Sequence, residues 1–247
     1  MLNAAPETRT YENPMQSRFA ELQHEVARLR DELESHPIAR LCAMGTVPES
    51  ILRDWARIQY VDSTLWIPML ALAKGQTKSP RLLQALKANI RCEAGDDGIP
   101  HVTLCREFVE SLGEPTYYGN YQDYAPLAAH SVGVMNALAS MSEEEMAGWL
   151  MAAETLVPTF FAIFRPGFAR IPGADLRYLD EHIAVDSDEH AEWMNESVHE
   201  LLKNETSYER LLAGIRLGGR VMLSIPDALY ARTLRSVGTA AVQRCHG

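Results

Sequence analysis

Along this chain the apolar side chains return at three- and four-residue steps, and no alternation of period two lasts beyond a few residues. That rhythm constrains the fold more than any other feature: it belongs to helices with one buried face and leaves no pattern for a sheet. Phe19, Leu22, Val26, Leu29 and Leu33 form the first stripe, which His36-Pro37 closes. Pro48 opens a helix running to about Lys74, and Gly75 stops it. Ser79-Pro80 caps the next segment, which Gly95, Gly98 and Pro100 bend before HVTLCREFVESLG resumes the period. A loop containing Tyr117, Tyr118, Tyr121 and Tyr124 then leads into the helical segment PLAAHSVGVMNALAS. Ser142 and Glu145 make a capping box for a helix towards Phe164, with a kink at Pro158. One long acidic helix is expected from about Ala174 to Lys203. A last helix starts at Thr206 or Ser207 and is interrupted near Gly218-Gly219 and Pro226. The expectation is an all-α bundle of about seven helices in one domain, residues 1–247, with 1–14 a flexible tail.

The charge balance narrows the partners. Lys+Arg 23 against Asp+Glu 33 gives a formal net charge of −10, a field that opposes nucleic acid. No uninterrupted apolar run approaches membrane-spanning length, and MLNAAPETRTYENPM has no basic start feeding an apolar core, so a cytoplasmic protein without a membrane partner is expected. Cys42, Cys92, Cys105 and Cys245 form no CxxC pair and read as free thiols.

Potential chemistry concentrates in YLDEHIAVDSDEHAEWMNE. His182 and Asp186 are four apart and share a helical face, and Asp186 and His190 repeat that relation. On an ideal helix His190 is rotated about 80° and displaced about 12 Å from His182, so a local bulge would help all three reach one centre. The same helix is strongly acidic, and a solvated face is the plain alternative. Glu93 and His101 flank a glycine- and proline-containing bend that can turn them towards each other. Glu154 interrupts a long apolar run, where a lone carboxylate is costly unless it binds an arginine or a metal. Three carboxylates and three imidazoles without thiolate suit iron or manganese.

The order Glu93…His101, Glu154, then His182-x3-Asp186-x3-His190 resembles the haem-oxygenase-like diiron oxidases and oxygenases, whose fold is shared with thiaminase II and pyrroloquinoline-quinone synthase proteins. LESHPIARL is similar to that family's entry segment. The resemblance implies a haem-oxygenase-like helical bundle, two Fe(II) ions held by these six residues, and dioxygen as co-substrate. It also implies desaturation, N-oxygenation or carbon–carbon cleavage of a small metabolite, foremost an amino acid. In several members the final histidine follows the aspartate by three residues. Here Glu189 has that place, so it is a candidate substitute or supplement for His190.

Arg220, beside the glycine pair, is the expected anchor for a substrate carboxylate, with Arg165 next and Tyr60 as a further lining residue. An external electron donor and a homodimer complete the expected partners. Three rival readings stand beside this one: a fatty-acid oxidative decarboxylase of the same fold, a thiaminase-II-like hydrolase using Cys105 or Cys92, and a metal-free helical binding protein.

Overall fold

A computed structural model describes residues 14–96, 98–116, 121–184 and 189–245, leaving aside the side chains at 14, 121–128, 130, 189–191 and 237–245. Among the described residues there are ten helices and no strand. In chain order they are α1 (Pro14–Glu34), α2 (Pro37–Met44), α3 (Glu49–Gln76), α4 (Pro80–Ala94) and α5 (His101–Ser111). They continue with α6 (Tyr121–Leu138), α7 (Glu143–Phe168), α8 (Arg177–Ala184), α9 (Glu189–Leu201) and α10 (Glu205–Cys245).

Capping chemistry sets several boundaries. Ser79 accepts a hydrogen bond from the Leu82 amide at the start of α4, and Ser142 and Glu145 close a reciprocal box at the start of α7. His36 caps α2 by accepting from the Ile38 amide, so Pro37 starts a short helix as well as ending the first one. The expected acidic helix is two helices, α8 and α9, with 185–188 between them outside the described residues. Tyr121 and Tyr124 lie within α6, while Tyr117 and Tyr118 fall outside the described residues. The expected tail, 1–14, also lies outside them apart from Pro14.

α7 is the centre of the bundle and packs against α1, α2, α3, α8, α9 and α10. By length and composition it is the one described helix able to cross a bilayer, but 72% of its most apolar window is buried inside the protein. A helix apolar all round is accounted for by that burial. Trp55 of α3 is fully buried and meets Phe108, Phe160, Phe161, Phe164 and Phe168 with ring centroids 4.9–6.4 Å apart. These offset and edge-on contacts tie α3 and α5 to α7.

α10 runs unbroken through Gly218-Gly219, contrary to the interruption expected there. The glycines serve contact between helices. A Cβ at Gly148 of α7 would collide with the Leu211 carbonyl, and one at Gly214 of α10 with the Glu145 carbonyl. At Gly218 a Cβ would lie 2.9 Å from Ala152 Cβ, and at Gly219 2.5 Å from the Leu29 methyls. At Gly148, Gly214 and Gly218 the backbones of α7 and α10 therefore approach along a seam that admits no side chain, while Gly219 makes room for Leu29 of α1.

Candidate metal centre

α4 ends on Gly95, whose φ of 78° is left-handed and whose missing Cβ leaves room for Pro100. That turn sends the chain straight into α5, with His101 at its first position behind Pro100. Glu93, in the last turn of α4, and His101 are thereby brought together, His101 Nδ1 lying 3.2 Å from Glu93 Oε2. His182 arrives from α8. Its Nδ1 is 2.8 Å from the Tyr178 carbonyl, which can only accept, so Nδ1 carries the proton and Nε2 keeps the lone pair a metal needs. Its ring is stacked on Phe161 at 4.5 Å and lies 4.8 Å from the His101 ring.

One donor atom from each of Glu93, His101 and His182 falls within 4.8 Å of the others, and all three residues are buried. Two imidazoles and one carboxylate without thiolate are a set that can hold a single metal ion.

Glu154 is buried in the middle of α7 and lines the same cavity as Glu93 and His182, outside the tight cluster of three. Asn89 Nδ2 donates to Glu154 Oε1 at 2.6 Å. Asn89 Oδ1 is buried with no hydrogen-bond partner among the described residues. Pro158 lacks the amide that would bond the Glu154 carbonyl one turn back, interrupting the ladder at the residue that faces the cavity. Asp186 lies outside the described residues; His190 and Glu189 fall on the first turn of α9 with their side chains outside the description.

The cavity has a volume of about 130 Å³ and is walled by α3, α4, α6, α7, α8 and α10. Gln59, Asp62, Ser63, Trp66 and Met69 supply one face of α3, and Gly218, Val221, Met222 and Ile225 one face of α10. No lysine or arginine is among its described lining residues. Arg220, the expected carboxylate anchor, is not among them. Because Gly218 faces α7 and the cavity, Arg220, two residues on, is turned about 200° round the helix and is exposed. Arg165 is part-exposed and paired with Asp180, and Tyr60 packs against the core without lining the cavity.

Sequence reasoning passed over Asp62, Ser131, Trp149 and Tyr178, all of which line the cavity. Positions 59, 62, 63, 66 and 69 do share a helical face, and a mixture of Gln, Asp, Ser, Trp and Met on a face that must be buried was the available signal. Ser131 donates a hydrogen bond to Asp62 Oδ1. Burial pushes the Asp62 carboxyl up to about 7, against the lowering effect of that bond. Burial also drives the Tyr178 hydroxyl well up, reinforced by neighbouring Cys105, Glu93 and Asp62. Cys105 is fully buried, and burial raises its thiol far above the ordinary range.

Comparison with known proteins follows the same line. A crystal structure from Shewanella denitrificans, a domain of unknown function with a haem-oxygenase-like fold, is similar with TM-score 0.67 at 16% identity, covering 86% of this chain and 92% of that one. A CADD-like protein of unknown function from Nostoc punctiforme has TM-score 0.66 at 17% identity, with 88% and 97% covered. A TenA homolog from Pseudomonas syringae pv. tomato has TM-score 0.67 at 12% identity, with 94% and 99% covered. These likenesses establish the haem-oxygenase-like fold. No curated protein matches the chain by sequence. The profile of the iron-containing redox enzymes matches residues 53–221, a span that includes the three clustered residues, Glu154 and the cavity face of α3 from Gln59 onwards. On that match, this chain belongs to the family of iron-containing redox enzymes.

Proposed function

We propose that the protein is a non-haem iron enzyme that uses dioxygen to oxidise a small metabolite. The observation that carries this reading is the buried cluster of Glu93, His101 and His182, with donor atoms within 4.8 Å and, among the described residues, no lysine or arginine lining the adjoining cavity. A buried carboxylate flanked by two imidazoles is stabilised by a metal cation. Iron held there would supply the electrons that activate dioxygen, chemistry no side chain of the chain can perform alone. A second ion would draw on Glu154, Asp186 and His190.

The chain's own residues have definable tasks. The Tyr178 carbonyl fixes the tautomer and tilt of His182, and Phe161 holds the ring from its face. Asn89 holds Glu154 in place by donating to one of its oxygens. Trp66, Trp149, Phe160 and Val157 wall the cavity with apolar surface, which excludes water from the reacting carbon. A volume of about 130 Å³ suits a substrate of roughly one ring, by comparison with cavities of similar size that admit benzene.

The test is dioxygen uptake by the metal-stripped chain reloaded with Fe(II) under argon, then mixed with dioxygen and a panel of small metabolites. One class should accelerate uptake beyond free Fe(II) and yield a product that has lost two hydrogens, gained oxygen or lost a carbon fragment. Uptake no faster than free Fe(II) with every compound, or unchanged in Glu93→Gln, rejects the reading.

A further inference from the structure

The charge ledger of the cavity is one-sided. Asp62, Glu93 and Glu154 line it, and no lysine or arginine does among the described residues. Glu93 belongs to the ligand cluster, and Glu154 is bonded by Asn89. Asp62 sits apart from that cluster on α3 and, among the described residues, accepts a hydrogen bond from the Ser131 hydroxyl of α6 alone. Beside it on the same face lie Gln59, Ser63 and Trp66, and the Trp66 ring meets that of Trp149 with centroids 5.8 Å apart.

Each class of ligand head can be weighed against this wall. At the Asp62 end, away from the metal-ligand cluster, a carboxylate or phosphate would add negative charge beside Asp62 with no lysine or arginine among the described lining residues to receive it. A wholly apolar ligand would strip water from Asp62 and give nothing back. An ammonium group supplies the missing charge, donates hydrogen bonds to Asp62, Gln59 and Ser63, and meets indole faces that attract cations. We propose that the Asp62 end of the cavity binds the ammonium group of a small amine substrate whose apolar body lies against Trp66 and Trp149. This rests on the redox reading of the same site and names the substrate class it would take. The high carboxyl pKa of Asp62 agrees, since burial without a cation is what raises it.

The probe is 2-phenylethylammonium, compared with 3-phenylpropionate and 2-phenylethanol, which share its ring but end in an anion and a neutral hydroxyl. Binding to the full chain, metal-free and Fe(II)-loaded under argon, is read by calorimetry and by tryptophan fluorescence. The ammonium should bind about tenfold or more tighter than the carboxylate, the gain of one charge-assisted bond. Asp62→Asn should remove that preference and leave 2-phenylethanol affinity and iron content unchanged, which shows the cavity still formed. If no probe binds, if the carboxylate binds as well as the ammonium, or if Asp62→Asn keeps the preference, the anchor is overturned. Iron content separates the two claims. No ammonium preference in the wild-type chain with iron retained refutes the anchor alone, and absent iron binding in the wild-type chain refutes the redox reading while the binding result stands.

Discussion

Supplying Fe(II) to the metal-stripped chain should raise its melting temperature by about 5 °C, and Glu93→Gln should abolish most of that rise. The donor atoms of Glu93, His101 and His182 already lie within 4.8 Å, and His182 is held by the Tyr178 carbonyl, so binding orders little that is not ordered beforehand. A ligand at one hundred times its dissociation constant stabilises the folded state by about 2.7 kcal/mol. With an unfolding entropy of about 2.1 cal/mol/K per residue, 247 residues give roughly 0.5 kcal/mol per degree, hence the shift. Glu93→Gln keeps the side-chain volume and removes the anionic donor. The assay is anaerobic circular dichroism at 222 nm on both proteins, with and without the metal at fixed excess. No shift in the wild type, or the same shift in Glu93→Gln, refutes the reasoning.

Three further outcomes follow from the same structure. Gly214→Ala places a methyl against the Glu145 carbonyl and should cost at least about 1–3 kcal/mol in urea unfolding, by forcing α7 and α10 apart; a neutral effect contradicts the seam. Burial works against the Glu143 carboxylate, but bonds from the Thr77 hydroxyl and the Lys78 and Ser79 amides outweigh it and hold its pKa below the ordinary value. Its stabilising contribution is therefore complete above the unfolded pKa of about 4.3 and lost as pH falls through the folded value, so Glu143→Gln should flatten the acid limb of the stability curve. Asp62 has the opposite sign. With its carboxyl raised to about 7, stability should fall as pH rises from about 4 to about 7, and Asp62→Asn should remove that fall in the metal-free protein.

Sequence and structure part company at identifiable residues. The convergence of Glu93 and His101 was legible because Gly95 and Pro100 are local signals: a left-handed cap followed at once by a helix start. The helical character of the chain was legible from periodicity, and the α7 start from its capping box. The phase of α10 was not. Gly218-Gly219 reads as a break in isolation, and only the close approach of α7 and α1 explains a continuous helix that turns Arg220 outward. Asp62 was hidden for a related reason. A single acidic residue in an amphipathic helix reads as solvated until α6 and α7 wall it in. Local chemistry is written in neighbouring residues; which face a helix shows to a cavity depends on partners far along the chain.

The account stands most directly on where iron binds. Crystals of the full chain grown or soaked with Fe(II) under argon should give an anomalous peak at the iron edge about 2.0–2.2 Å from a donor atom of each of Glu93, His101 and His182, the usual span for oxygen and nitrogen ligands. Iron found only elsewhere, or those three side chains without a peak in protein that retains stoichiometric iron, would contradict it.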